Sequence, residues 1–295
     1  MRILVAGASG LIGSALVPHL TAGGHTVERL VRRRPRSADE HNWAPSAHIL
    51  DAALLEGVDA VIDLAGASLA RLPWTTRYRA ELVRSRIDAT RTLTEAMSMA
   101  AKPPAVLLNA SAVGYYGDRP GVRLTEEASR GDGFLADLVD QWERAASLAP
   151  ERTRTVTLRT GLVIARRGAM RPLALLARAG LGGPIGAGGQ HWPWISLADE
   201  VAAISHLLES DLAGPVNLAG PVPCTSAGVL RMLARELRRP FALPLGERLV
   251  LAGLGEAGRE LLLSSQKVVP ERLLADGFSF RHERAAEAIA ATFGR

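Results

Sequence analysis

Through the first 160 residues the apolar positions fall into short unbroken runs, separated by turns and by longer stretches at helical spacing. Ile3-Leu4-Val5-Ala6, Ala60-Val61-Ile62, Val106-Leu107-Leu108 and Val156-Thr157-Leu158 each read as strands buried on both faces, the habit of a parallel sheet. Thr26-Val27-Glu28-Arg29-Leu30-Val31 alternates, as a strand with one wetter face does. Between these runs, 14–20, 77–101 and 134–148 keep helical spacing. In the longest, Leu82, Ile87, Thr90, Leu93 and Met97 share a stripe, and Pro103-Pro104 stops it. Residues 37–58 read as loop plus a short helix at Ala52-Ala53-Leu54-Leu55, and 118–133 as a polar loop. The rhythm predicts a six-stranded, doubly wound parallel α/β sheet.

Beyond Arg166 the texture changes. Gly180, Gly182, Gly183, Gly186, Gly188 and Gly189 make a glycine-dense loop, followed by Gln190-His191-Trp192-Pro193-Trp194-Ile195. Asp199 is expected to cap the next helix, and a strand near 216–218 to return to the main sheet. Residues 223–295 read as mostly helical, with a short strand at Phe278-Ser279-Phe280. The division expected is a nucleotide-binding domain over 1–165 and a smaller, mostly helical lobe over 166–295.

The first strand carries the most specific chemistry. It runs into Gly7-Ala8-Ser9-Gly10-Leu11-Ile12-Gly13, and helical spacing resumes at Ser14. A strand, a glycine turn and a helix N-terminus form the arrangement that binds a dinucleotide pyrophosphate, which defines a Rossmann fold. Gly7 permits the turn, Gly10 lets backbone approach phosphate, and Gly13 lets helix pack on strand. Ser9, Leu11 and Ile12 are expected to lie against the phosphates with them. In NAD-binding versions an acidic residue closes the second strand and holds the ribose hydroxyls. Here that position is Val31, followed by Arg32-Arg33-Arg34-Pro35-Arg36. A carboxylate repels a 2′-phosphate and a guanidinium grips it, so Arg32 is expected to select NADP. A solvated basic turn is the plainer reading of Arg34 and Arg36.

Composition narrows the remaining classes. Hydrophobic residues make up 47% of 295, enough for a packed core, and no apolar run approaches the ~20 residues of a membrane span. The opening strand starts too early and is too short for a signal peptide. Cys224 is the only cysteine, so neither an intrachain disulfide nor a cysteine metal site is expected. A net charge of +5 comes from 33 arginines against two lysines, Lys102 and Lys267. The arginines are scattered and aromatics are only 4%, so stacking platforms for nucleic acid are scarce. The expectation is a cytoplasmic protein with a small-molecule substrate, no nucleic-acid or membrane partner, and a monomeric or homodimeric state.

The chain resembles an extended short-chain dehydrogenase/reductase of the NAD(P)-dependent epimerase/dehydratase type. The carrying residues are the Gly7/Gly10/Gly13 loop, Leu64-Ala65-Gly66, Ser111, Arg159-Thr160-Gly161 and Trp194–Asp199. More narrowly, it is similar to an atypical branch labelled nucleoside-diphosphate-sugar epimerases. Ser85-Arg86, Ser111–Gly117, Trp142-Glu143, Gly180–Gly186 and Gln266-Lys267-Val268-Val269-Pro270 carry that likeness. Two departures stand out: Trp43-Ala44-Pro45 where the branch has Trp-Asp-Pro, and Ser196-Leu197-Ala198-Asp199 where it has His-Ile-Asp-Asp. The resemblance implies that Leu64, Ala65, Gly66, Ser111, Arg159, Thr160 and Val163 also touch the cofactor. Glu81 and Arg86, on the helix flanking the groove, are expected to reach toward the nucleotide, a solvated pair being the alternative.

Ordinary members of the larger family use a Tyr-x-x-x-Lys pair. After Tyr78, Tyr115 and Tyr116, the fourth residues are Leu82, Arg119 and Pro120, so the pair is absent. The helix expected to carry it offers Phe134-Leu135-Ala136-Asp137-Leu138, and a phenyl ring transfers no proton. The atypical branch as a whole lacks the pair. An NADP-dependent oxidoreductase or epimerase with a displaced acid/base would draw on Ser111, Tyr115 and Tyr116, then Asp137, Gln190 and His191. The alternatives are a cofactor-binding regulatory or redox-sensing protein without turnover and, on charge alone, a nucleic-acid partner.

Overall fold

The computed structural model describes residues 1–294. The chain starts with strand β1 (Arg2–Ala6), helix α1 (Gly13–Ala22), β2 (Thr26–Val31), β3 (Glu40–Asn42) and β4 (Ala60–Asp63). It continues through α2 (Thr76–Met99), β5 (Val106–Ala112), β6 (Arg119–Leu124), α3 (Phe134–Ala146) and β7 (Arg154–Thr160). Then come β8 (Leu162–Ile164), α4 (Met170–Arg178), β9 (His191–Trp192), β10 (Trp194–Ser196), α5 (Leu197–Glu209) and β11 (Gly214–Leu218). The last part holds β12 (Cys224–Thr225), α6 (Ser226–Glu236), α7 (Glu247–Gly258), β13 (Gln266–Val268), α8 (Glu271–Ala275) and α9 (Ala285–Phe293).

Seven strands, all parallel, form the main sheet in the order β11-β7-β5-β4-β1-β2-β3. The order reverses at β1, and that switch point is where open α/β sheets take their ligands. The doubly wound fold is as expected, and β11 joins the main sheet where a strand near 216–218 is expected to return. β3 lies in the stretch 37–58 that reads as loop and short helix: three residues, Glu40-His41-Asn42, too short and too polar for periodicity to register. One face of the sheet packs Ile3, Val5, Ile62, Leu108 and Leu158 against Leu16 and Leu20 of α1 and Ile204 and Leu207 of α5. The other packs Leu4, Val61 and Leu107 against Leu93 and Met97 of α2.

Three smaller departures have clear causes. The loop over 118–133 contains β6, which pairs in parallel with β13 from nearly 150 residues away; such a partner is invisible in the local sequence. Phe278-Ser279-Phe280 is not a strand. The two phenyl rings pack edge to face at 4.9 Å, and Phe278 meets His206 edge to face at 5.5 Å, so their alternation serves the core rather than a ladder. Asp199 does not cap α5 either. Ser196 does, its hydroxyl accepting from the Asp199 amide, while the Asp199 carboxylate accepts from the amides of Arg281 and His282.

Candidate cofactor and active site

Strand registers bring the expected site residues to one edge. Ala6 pairs with Leu30 and Asp63, Asp63 with Asn109, and Ser111 and Ala112 with Arg159 and Thr160. The carboxyl ends of β1, β2, β4, β5 and β7 therefore lie side by side, with the glycine loop at the switch point.

The three glycines do different jobs. A Cβ on Gly7 (φ +78°) would lie 2.5 Å from the Leu64 carbonyl, and one on Gly13 would lie 2.4 Å from the Gly7 oxygen. Both are demanded by the protein's own packing. A Cβ on Gly10 meets only the Gly7 oxygen, at 3.2 Å, and otherwise projects into open space. Ser9 and Gly10 are exposed, and the Leu11 and Ile12 amides at the start of α1 find no acceptor among the described residues. Exposed backbone donors at a helix N-terminus, beside a position without a side chain, make a cradle suited to an anion.

At the end of β2 the arginines sort themselves. Arg33 grips Glu40 with two bonds of 2.7 Å, which hold that carboxyl down at about 2; Arg29 takes Asp39. Arg32 is exposed beside the glycine loop, and its guanidinium has no partner among the described residues. The end of β4 is latched to α2: Ser85 accepts from the Ala67 amide, and Arg86 donates to the Ala67 carbonyl. Arg86 is buried, which pulls it down to about 10, and its plane lies over Trp142. It braces the Leu64–Ala67 turn from below, whereas Glu81 is exposed in a cleft lined by Arg71, Thr75, Arg77 and Tyr78. Beneath that turn Asp63, fully buried and pushed by burial up to about 6, accepts from Thr90 and from the Ala65 amide.

The ends of β5 and β7 meet in a polar network. The Ser111 hydroxyl donates to Glu143 at 2.5 Å, and Arg159 clasps the same carboxylate through Nε (2.9 Å) and Nη2 (2.8 Å). Nη1 of Arg159 donates to the Tyr116 hydroxyl, which donates to Asn217 at 2.7 Å. Burial pulls against the Arg159 charge, but Glu143 outweighs it and holds the guanidinium protonated. Tyr116 is wholly buried and its hydroxyl is pushed up by that burial, so it is a bolt rather than a proton donor. Ser111 is buried with its proton committed to Glu143. Tyr115 differs: it is only partly buried, its ring lies under the Arg159 guanidinium at 3.6 Å, and its hydroxyl has no partner among the described residues.

The remaining candidates fall outside this cluster. Asp137 faces solvent and pairs with Arg130. Gln190 spends its amide on the Ile185 and Leu262 carbonyls, and the His191 imidazole is pulled below its ordinary value first by burial and then by Lys267. Thr160 donates to Glu200, and Val163 is buried in β8 against the α5 face. Phe134 packs edge to face on Trp74 under Arg79. Among the described residues no cluster suited to a metal is present.

Two carboxylates escaped the sequence reading. Glu143 was visible only as half of the Trp142-Glu143 motif; its partners come from β5 and β7, so spacing gives no hint of its role. Glu260 accepts from the Phe134 and Leu135 amides, each at 2.7 Å, and so caps α3 from 125 residues away. Gly133 (φ +108°) leaves room for it: a Cβ there would lie 2.7 Å from a Glu260 oxygen.

Comparison with known proteins agrees with this geometry over nearly the full length. The family model described as NAD dependent epimerase/dehydratase matches residues 3–219, and a domain of unknown function, DUF1731, matches 247–292. The epimerase family protein Mb2239 of Mycobacterium bovis is 41% identical over 97% of this chain and 96% of its own. The crystal structure of human epimerase family protein SDR39U1 (isoform 2) with NADPH superposes with a TM-score of 0.91 at 33% identity, covering 99% of both chains. A nucleoside-diphosphate sugar epimerase structure from Corynebacterium glutamicum follows at 0.83 and 29%, covering all of this chain and 58% of that one.

Proposed function

This chain belongs to the NAD dependent epimerase/dehydratase family, and from that membership we propose that it binds NADP(H) and reduces a carbonyl on a small molecule. The observation that carries the cofactor choice is Arg32, a guanidinium without a partner among the described residues, directly after Val31, the position where an NAD-binding fold of this kind places a carboxylate. The human relative crystallised with NADPH supports the same reading.

The residues present fit the dinucleotide. The Gly10 position and the Leu11 and Ile12 amides would hold its pyrophosphate, Arg32 its 2′-phosphate, and Leu64, Ala65 and Gly66 the adenosine side. When bound, NADPH supplies a hydride. The protein's own part is to orient the substrate at the β5–β7 edge and deliver a proton to its oxygen. Tyr115 is the group for that delivery, because its hydroxyl alone among the nearby candidates is neither buried nor committed. Arg159 keeps the ring in place and puts positive charge beside it as the proton leaves. Ser111, buried and locked to Glu143, holds in place the carboxylate that Arg159 clasps. A nucleotide sugar is the substrate class suggested by the Corynebacterium relative's description.

A second reading has one observation in its favour. Ser111 and Tyr116 are both tied into internal bonds and Phe134 carries no hydroxyl, a pattern that also suits a protein that binds NADP(H) without turning it over. Both are tested together by extracting the purified protein for bound nucleotide and following NADPH consumption against carbonyls that include nucleotide sugars. Bound NADP(H) with consumption supports the enzyme; bound NADP(H) with none across the set supports the binding protein; recovery of NAD alone contradicts both.

A further inference from the structure

We propose that the leucine-rich tip of the C-terminal lobe docks on an anionic lipid surface. Residues 242–249, Ala-Leu-Pro-Leu-Gly-Glu-Arg-Leu, are exposed without interruption. Leu243 and Leu249 present 52% and 66% of their surface to solvent, and Leu245 37%. The tip is backed by a second exposed leucine segment. The Leu243 and Leu245 amides bond the Gly182 and Pro184 carbonyls, and the Leu181 amide bonds Leu176 at the end of α4. Leu181 and Leu176 are 54% and 46% exposed, so exposed leucines stand on two chain segments that bond to one another. Scattered exposed leucines are ordinary; a contiguous group on adjoining loops marks a contact surface.

Its charge specifies the occupant. Arg178, Arg238, Arg239 and Arg248 ring the leucines, all exposed, and none has a carboxylate partner among the described residues. Between 238 and 249 the only acid is Glu247. Arginines around projecting aliphatic side chains match a bilayer of acidic headgroups: the leucines enter the headgroup–acyl boundary and the guanidiniums pair with lipid phosphates. A protein partner would favour aromatic anchors at the centre. The one aromatic here, Phe241, is half-buried with Arg231 stacked on it 5.3 Å away. No helix among the described residues is long and apolar enough to cross a membrane, so the association is with the surface.

The test is co-sedimentation of the full chain with vesicles of phosphatidylcholine alone or mixed with phosphatidylglycerol. It is repeated on the double variant Leu243→Asp/Leu245→Asp and on Arg238→Glu/Arg239→Glu. None of these residues belongs to the proposed cofactor site, so unchanged circular dichroism and NADPH affinity certify the fold. The native protein is expected to partition about tenfold or more better onto anionic vesicles, the leucine variant to lose most of that binding, and the arginine variant to lose the preference for anionic lipid. Equal, negligible sedimentation with both vesicles overturns the proposal. So does vesicle binding that survives the leucine change, or a native dimer that the leucine variant abolishes without any vesicle binding. Retention on heparin with no vesicle binding would assign the arginines to nucleic acid instead.

Discussion

The Arg159 guanidinium carbon lies 3.6 Å from the centre of the Tyr115 ring, while the same group holds both Glu143 oxygens. One buried cation thus ties the ends of β5 and β7 to α3. Removing it strands Glu143 and the Ser111 proton beside it. Arg159→Met is expected to cost about 3–5 kcal/mol of stability, the range for breaking a buried pair. Arg159→Lys, which keeps the charge and loses the fork, should fall between the two. Denaturant unfolding checks this; a methionine variant as stable as the native protein would show that the pair is dispensable.

The two adjacent tyrosines should separate cleanly. Tyr116→Phe removes a hydroxyl bonded to Asn217 and Arg159 inside the core, and is expected to cost about 1–2 kcal/mol while leaving turnover intact. Tyr115→Phe removes a hydroxyl with no partner among the described residues, so stability should stay within about 0.5 kcal/mol. Turnover of an identified substrate should drop about a hundredfold or more. The reverse pattern would place the proton donor at Tyr116.

The glycine loop makes a second separable pair. Gly7→Ala and Gly13→Ala drive a Cβ into backbone and should lower the melting temperature whether or not nucleotide is present. Gly10→Val meets only one backbone oxygen, so the apo protein should remain folded while NADPH affinity collapses. Near-native affinity in that variant would move the phosphates elsewhere.

How far the sequence carried these assignments depends on the range of each interaction. Gly7, Gly10 and Gly13 and the strand before them are contiguous, so the strand–turn–helix unit is legible from the sequence. Arg32 can be named as a candidate in the same way, because it follows the end of its strand directly. What decides between Ser111, Tyr115 and Tyr116 is not local: Asn217, Glu143 and Arg159 arrive from other strands and helices and consume two of the three hydroxyls. Arg86 has the same limit, since its acceptors at Ala67 and Leu82 come from the fold rather than from its place in the helix pattern. β3 and β6 escaped because short polar strands are defined by their partners.

Glu200 should govern part of the pH dependence. It is fully buried, accepts only from Thr160, and its second carboxyl oxygen has no partner among the described residues; burial pushes it up to about 8. Below its ordinary value of 4.5 the group is protonated folded or unfolded and costs nothing. As pH rises further, the unfolded chain releases this proton and the folded one keeps it. Stability therefore falls, by up to about 1.4 kcal/mol per pH unit, until the folded carboxyl ionises. Glu200→Gln should match the native protein near pH 4.5 and exceed it increasingly toward pH 8. Parallel melting-temperature profiles for the two proteins would mean that the carboxyl is ionised within the fold.

Whether Arg32 selects NADP(H) is decided by titrating the apo protein with NADPH and NADH, before and after Arg32→Ala. A charge-assisted bond to the 2′-phosphate is worth about 1.5–3 kcal/mol, so NADPH should bind the native protein at least about tenfold tighter than NADH. The alanine variant should lose most of that difference through weaker NADPH binding, with NADH affinity unchanged. Equal affinities in the native protein, or a preference for NADPH that survives the substitution, would contradict the account.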